Sequence, residues 1–345
     1  MRTRTTLFLL AIFLAWNLNT AGQTKRFEVV FYNVENLFDT DNDPATNDDA
    51  FTPEGINHWT NDRYKKKLED VATVLGKINP KHLPDLIGLC EVENTKVLKD
   101  LTAVRPLKKR GYRVVHEDSP DSRGIDVGLL YNPESFSYIS HRIIPVNYPR
   151  DTLKGRDILY IKGKVSGENI HIFVNHWKSR RGSARATEQK RIYNAVLVRR
   201  AVDSIFNTEP SARIIIMGDF NDEPTNMSIL NVLNATNKRK NISPRDLYNL
   251  MYDAHNLSDT GTYSYKGKWN MLDQIIVSRA FLDNTKGWHT TYDGGHIFSD
   301  DFMLYYNAKA DQYVPGKTYG GSTYYGGISD HLPVYVIFEK GKKKK

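Results

Sequence analysis

The sequence predicts an α/β domain in which β-sheets are sandwiched between helices. Apolar, β-branched runs of strand length recur along the chain, two stretches between them place apolar residues at helical spacing, and no linker, repeat or low-complexity block divides the whole. A chain of 345 residues, 40% hydrophobic and 26% charged, can bury a core large enough for one such domain.

The N-terminus carries Arg2 and Arg4, an apolar stretch from Leu7 to Trp16, and small or polar residues through Thr20-Ala21-Gly22. About ten apolar residues are too few to span a bilayer and fit a secretory signal peptide over 1–22, so an exported, periplasmic or secreted protein is expected. Strands are predicted over 27–33, 85–91, 112–117, 126–131, 158–165, 170–175, 214–219, 274–278 and 334–338. Several of these are apolar throughout, as strands covered on both faces are. Tyr64, Leu68, Val71, Leu75 and Ile78 mark one amphipathic helix; Ile192, Ala195, Val198, Val202 and Ile205 mark another. The stretch 283–327, rich in Gly, Asp and Tyr, breaks this rhythm and is expected to be an insertion in the single domain spanning 23–339, a functional loop or lid.

Cys90, the single cysteine, lies inside Leu86-Ile87-Gly88-Leu89-Cys90 and is expected to be a buried small hydrophobe. The net charge of +8 comes largely from the ends: without Arg2, Arg4 and the five lysines of the 340–345 tail, the body is near neutral. Such a body argues mildly against avid, sequence-independent duplex binding, which draws on a basic face.

Chemistry concentrates at strand ends. Arg213-Ile214-Ile215-Ile216-Met217-Gly218-Asp219-Phe220-Asn221 is a buried-strand pattern that stops at a glycine and then presents Asp219 and Asn221 two residues apart, hence on one face. Ser329-Asp330-His331 stands at the mouth of the last strand. Asn33, Glu35, Glu91 and Asp273 also lie at or just beyond predicted strand ends. Hydrolysis of a phosphoester needs phosphoryl charge neutralised, water oriented and deprotonated, and the leaving oxygen stabilised, and this set of carboxylates, amides and imidazole can meet those needs. No His-Glu-x-x-His, cysteine cluster or P-loop points elsewhere.

Tyr32-Asn33-Val34-Glu35-Asn36, Gly88-Leu89-Cys90-Glu91-Val92, Asn175-His176-Trp177-Lys178-Ser179, Gly218 to Asn221 and Ser329-Asp330-His331 follow one another in an order that resembles the endonuclease/exonuclease/phosphatase superfamily, its secreted bacterial nuclease-like members in particular. The resemblance implies a four-layer α/β/β/α sandwich, two mixed sheets packed face to face with helices outside. It also implies a metal-dependent hydrolase using Mg²⁺ or Mn²⁺, with Ca²⁺ as a further option. Glu91 would be the principal metal ligand, supported by Glu35 and Asn33, with Asp330 near a second position. Asp219 would deprotonate the water, Asn221 hold the phosphate, and His331, fixed by Asp273, stabilise the developing charge. His176 would be the second catalytic histidine and Glu117 its carboxylate partner.

Lys178, Arg180 and Arg181 follow His176 and are expected to grip substrate phosphate. A nucleic-acid substrate is favoured over a small phosphoester or phospholipid, in a monomer without a stable protein partner. The alternatives are a phosphomonoesterase or phospholipase-type hydrolase of inositol phosphates, sugar phosphates or sphingomyelin, and an inactive phosphate-binding module. Retention of Glu91, Asp219, Asn221, Asp330 and His331 weighs against the last.

Overall fold

The computed structural model describes residues 25–340 except 150, 152, 153, 258 and 286; the expected signal segment and the end of the lysine tail lie outside the described residues. In chain order the elements begin β1 (Arg26–Leu37), α1 (Asn61–Ile78), β2 (Leu86–Val92), α2 (Thr95–Ala103), β3 (Arg113–His116), β4 (Asp126–Tyr131) and β5 (Ser137–Ile144). They continue with β6 (Ile158–Val165), β7 (Glu168–His176), α3 (Ala184–Thr208), β8 (Arg213–Asp219), β9 (Ala235–Thr236), β10 (Leu247–Asn249), β11 (Tyr263–Tyr265), β12 (Lys268–Asn270) and β13 (Asp273–Ser278). The last are β14 (Trp288–His289), β15 (Gly295–Ile297), β16 (Leu304–Asn307), β17 (Gln312–Pro315), β18 (Tyr319–Gly320), β19 (Thr323–Tyr324) and β20 (Val334–Lys340).

Two mixed 7-stranded sheets form the body, one ordered β14-β20-β1-β2-β4-β3 with β15 also on β20, the other β5-β6-β7-β8-β13-β10-β9. Between them lies an apolar layer that includes Phe31, Cys90, Ile172, Met217, Ile275 and Val336. A second layer joins the first sheet to α1 and α2 through Val30, Leu68, Leu75, Leu89 and Leu98. The third joins the other sheet to α3 through Phe173, Val198, Val202 and Ile214. This is the expected α/β/β/α sandwich, and Cys90 is buried in its centre. The helices start where capping residues allow: Thr60 Oγ1 accepts from Arg63 N–H, and Ser183 Oγ from Ala186 N–H at 3.1 Å.

The structure moves one boundary and fills in the expected insertion. The last strand runs through Lys340, whose ammonium reaches Glu168 at 3.0 Å, so the tail begins one residue later than expected. The first part of the expected insertion is sheet, since β14 and β15 both pair with β20. The remainder holds two short hairpins, β16–β17 and β18–β19.

Candidate active site

Strand register brings the site together. In the second sheet β8 is flanked by parallel β7, which sets His176 beside Asp219, and by antiparallel β13, which sets Asp273 on Asp219's other side. Residues opposite one another in register share a face, so His176, Asp219 and Asp273 form one row across three strand ends. Gly218 is required by this approach: a Cβ there would fall 2.5 Å from the Asn175 carbonyl oxygen. From the first sheet come Asn33 on β1 and Glu91 on β2, while Asp330 and His331 lead into β20, which is antiparallel to β1.

Both edges supplied by the first sheet are irregular. Register shifts between Asn33 and Leu37 on β1, and between Cys90 and Val92 on β2. Glu35, Asn36 and Glu91 have positive φ (49°, 54° and 60°), and Asn221 on the opposite side has 50°. Bulges and left-handed non-glycine residues are costly in ordinary strands and serve here to turn polar side chains inward.

Asp219, 2% exposed, accepts from Asn33 Nδ2 at 3.1 Å, Asn221 Nδ2 at 3.3 Å and Asn221 N–H at 2.9 Å. His176 Nε2 stands 3.6 Å from Asp219 and 3.8 Å from Glu91. His331 Nδ1 and Asp273 Oδ2 are 2.6 Å apart, and His331 Nε2 faces Asp219 and Asp330, each at 3.9 Å. Ser329 Oγ holds this turn by donating to the Asn33 carbonyl and accepting from His331 N–H. Tyr263 closes one flank with its ring centroid 4.8 Å from that of His331.

A family model described as the endonuclease/exonuclease/phosphatase family matches residues 28–340. The chain belongs to that family. Endonuclease/exonuclease/phosphatase proteins are metal-dependent phosphoester hydrolases, and this chain is one. No curated protein matches the sequence. Solved structures share the fold at low identity. A mannosyl-6-phosphatase of Bacteroides thetaiotaomicron has a TM-score of 0.56 at 17% identity, covering 90% of this chain and 99% of its own. D. rerio TDP2 in complex with a single-strand DNA product has a TM-score of 0.53 at 14% identity, covering 91% and 98%. A family member from Bacteroides vulgatus has a TM-score of 0.55 at 13% identity, covering 92% and 99%.

The donor set of this family member fits a divalent cation. Burial, then the neighbouring Asp330, pushes the Glu35 carboxyl up to about 8; burial raises Asp219 to about 6 and also raises Asp330, with Glu91 adding repulsion to both. Crowded carboxylates with raised affinity for protons are equally disposed to bind a cation. Asp219, Asp273 and His331 also lie close together. The 2.6 Å contact, however, already occupies Asp273 Oδ2 and His331 Nδ1 with each other. A divalent cation at a hundredfold excess over its Kd is expected to raise the melting temperature by about 5 °C, from ~2.7 kcal/mol of linkage. Differential scanning fluorimetry of Glu91→Gln should lose that shift; an equal shift in the variant would remove Glu91 from the metal site.

Several expected roles change. Glu35 Oε2 accepts from the Thr318 and Asp330 N–H groups at 2.7 and 3.1 Å, so it fixes the insertion and the Asp330 backbone and leaves only Oε1 for a cation. Asn33 spans the site, accepting from Glu35 N–H while donating to Asp219. Glu117 is not the partner of His176: it is exposed and pairs at 2.9 Å with His141 on β5. Two edge strands meet there, whereas β7 lies in the interior of its sheet. His176 Nδ1 is buried with no hydrogen-bond partner.

Arg180 does not face substrate either. Its guanidinium donates to the Asn221 carbonyl at 2.7 Å, Asn270 Oδ1 at 3.0 Å and Asn226 Oδ1 at 3.2 Å, bracing the loop that carries Asn221. Arg181 is exposed. Lys178 is half-buried; its carbonyl accepts from Arg191 at 3.4 Å, and its ammonium has no ion-pair or hydrogen-bond partner among the described residues. Sequence reading missed Lys67, which is 2% exposed and donates to Thr318 Oγ1 at 2.7 Å, tying α1 to the insertion; burial lowers its pKa against the opposing charges of Glu35 and Asp330. Its position three residues after Tyr64 and four before Val71, on the apolar stripe of α1, was the available signal.

Proposed function

We propose that this chain is an exported, Mg²⁺- or Mn²⁺-dependent phosphodiesterase of the nuclease-like kind. Asp219, held by Asn33 and Asn221, takes the proton of the attacking water. His331, oriented by Asp273, stabilises charge developing on the phosphoryl oxygens, and Asn221 positions one of them. Glu91, Asp330 and the free oxygen of Glu35 would hold the cation, which would supply neutralisation of charge on the phosphoryl and leaving oxygens. His176 is kept neutral by burial, followed by Arg156 and Arg123, and so serves as a hydrogen-bond donor near Asp219 and Glu91. Export is supported by the apolar segment from Leu7 to Trp16 behind Arg2 and Arg4.

Lys178 is the observation that carries a diester over a monoester substrate. Asp121, an acid whose charge reaches Lys178, is already engaged by Arg156 at 3.2 Å and Arg123 at 3.7 Å. Burial, with Arg156 and Lys190 nearby, pushes the Lys178 ammonium down, so it stands in an excess of positive charge just past His176. A second phosphate flanking the scissile one would satisfy it. The structural neighbours include both a mannosyl-6-phosphatase and a protein complexed with single-strand DNA product.

The test compares chelator-sensitive product release from DNA, RNA, bis-nitrophenyl phosphate, sugar phosphates and sphingomyelin. Lys178→Ala is expected to raise KM for an oligonucleotide about tenfold, ~1.4 kcal/mol, with bis-nitrophenyl phosphate unaffected. Release confined to monoesters, or an equal loss on both diesters, would overturn this reading.

A further inference from the structure

Two hairpins outside the large sheets meet at their turns. Gln312 Nε2, on β17, donates to Ser264 Oγ, on β11, at 3.5 Å. A Cβ added at Gly267 in the β11–β12 turn would lie 3.3 Å from Ala310 Cβ in the β16–β17 turn. Together the hairpins make one ridge, and its foot is the catalytic centre. Tyr263 opens β11, forms a backbone bridge with His331 and packs on its ring; Asn270 closes β12 and accepts from Arg180.

The ridge has an unusual surface. Tyr265, Tyr306 and Tyr313 are 57%, 51% and 62% exposed, and Tyr306 faces Tyr313 across the hairpin with centroids 5.4 Å apart. Lys266, Lys268 and Lys309 are exposed between them and have no ion-pair partner among the described residues; Lys266 lies over the Tyr265 ring at 5.3 Å. The acid in the β16–β17 turn, Asp311, accepts a hydrogen bond from the Tyr306 hydroxyl. Single exposed aromatics are ordinary. Tyrosines interleaved with unpaired lysines, leading away from a phosphoester site, are not.

We propose that this ridge is a platform for single-stranded nucleic acid, on which bases stack against the tyrosines while Lys266, Lys268 and Lys309 meet the phosphates. The inference rests on the phosphodiesterase reading above and extends it to the strandedness of the substrate. Base faces must be free to stack on aromatic side chains, and a duplex hides them. The near-neutral body supplies little of the basic field on which duplex binding depends. A membrane is the weaker occupant, because on the two hairpins Trp269 and Leu304 are half-buried and Val314 is buried, and tyrosine and lysine dominate what is exposed.

The test uses fluorescence anisotropy of a labelled oligo-dT of about 12 nucleotides, within the usual span of such platforms. Binding is measured in the full chain carrying Asp219→Asn, so that hydrolysis does not intrude. Adding Tyr265→Ala and Tyr313→Ala is expected to weaken binding at least tenfold, whereas the Tyr→Phe pair, which keeps the rings, binds as the parent does. In the Asp219 protein the same Ala pair should leave bis-nitrophenyl phosphate turnover unchanged while slowing oligonucleotide cleavage. Equal oligonucleotide binding by the Ala pair and its parent would overturn the platform and leave the phosphodiesterase reading standing. Loss of sedimentation with anionic vesicles in place of oligonucleotide binding would overturn it in favour of a membrane. Absence of any diester hydrolysis by the parent would remove the phosphodiesterase reading and the platform with it.

Discussion

Asp219→Asn is expected to lower kcat on a phosphodiester about a thousandfold, the middle of the range for loss of a positioned general base, with the fold retained. The expectation follows from where the carboxylate is held. Asp219 is buried in the middle of the row formed by His176 and Asp273, and its oxygens accept three hydrogen bonds from Asn33 and Asn221. Burial raises its carboxyl to about 6, against the opposing pull of His331, which brings a carboxylate nearer to the neutral range where a general base is most effective.

Asparagine preserves the shape and one accepting oxygen. That oxygen can serve the Asn221 N–H, but the new NH₂ then confronts the Nδ2 donors of Asn33 and Asn221, a clash of donors costing about 1–3 kcal/mol. The loss of a buried charge offsets part of this cost. Circular dichroism and melting should therefore show a folded variant with a modest change in stability. Steady-state kinetics at saturating metal and substrate would measure the rate; an unchanged kcat would exclude Asp219 as the base, whatever the melting temperature.

How much of this was legible in the sequence depended on burial. The central strands were readable because both faces are covered, and β4 and β6 have the predicted bounds. β5 was not, because it is an edge strand whose Ser137, Tyr138, Ile139 and Ser140 are exposed and carry no apolar run. The nine-residue α2 gives too short a period to stand out, and the hairpins of the insertion are two to four residues per strand. Asp219, Asn221, Asp330 and His331 were legible because apolar runs place them at strand mouths. Arg180 and Glu117 were misread because charge in a sequence does not say where its partners are. Arg180 spends its donors on Asn221, Asn226 and Asn270, residues 41, 46 and 90 positions away, and only the fold brings them together.

Asp273→Asn should produce the second large effect, a loss of about a hundredfold or more at alkaline pH with a much smaller loss in acid. Asp273 is fully buried, and its Oδ2 lies 2.6 Å from His331 Nδ1. Burial alone would push the imidazole down; the charge and hydrogen bond of Asp273, followed by Asp219 and Asp330, outweigh it and hold His331 protonated well above its ordinary range. A raised pKa means the imidazolium persists above the ordinary value of about 6.5 and is lost only as pH rises through the higher, folded value. An asparagine oxygen can still accept from Nδ1–H, so ring orientation survives, but the charge that sustains the imidazolium does not. The alkaline limb of the pH–rate profile should move toward acid, and the gap between wild type and variant should narrow as pH falls. The same interaction contributes stability that is complete below about 6.5 and fades above it, so the melting temperatures should differ most at low pH, opposite to the rates. Rates that fall in parallel at every pH would mean that Asp273 only orients His331 and that its charge plays no part in the chemistry.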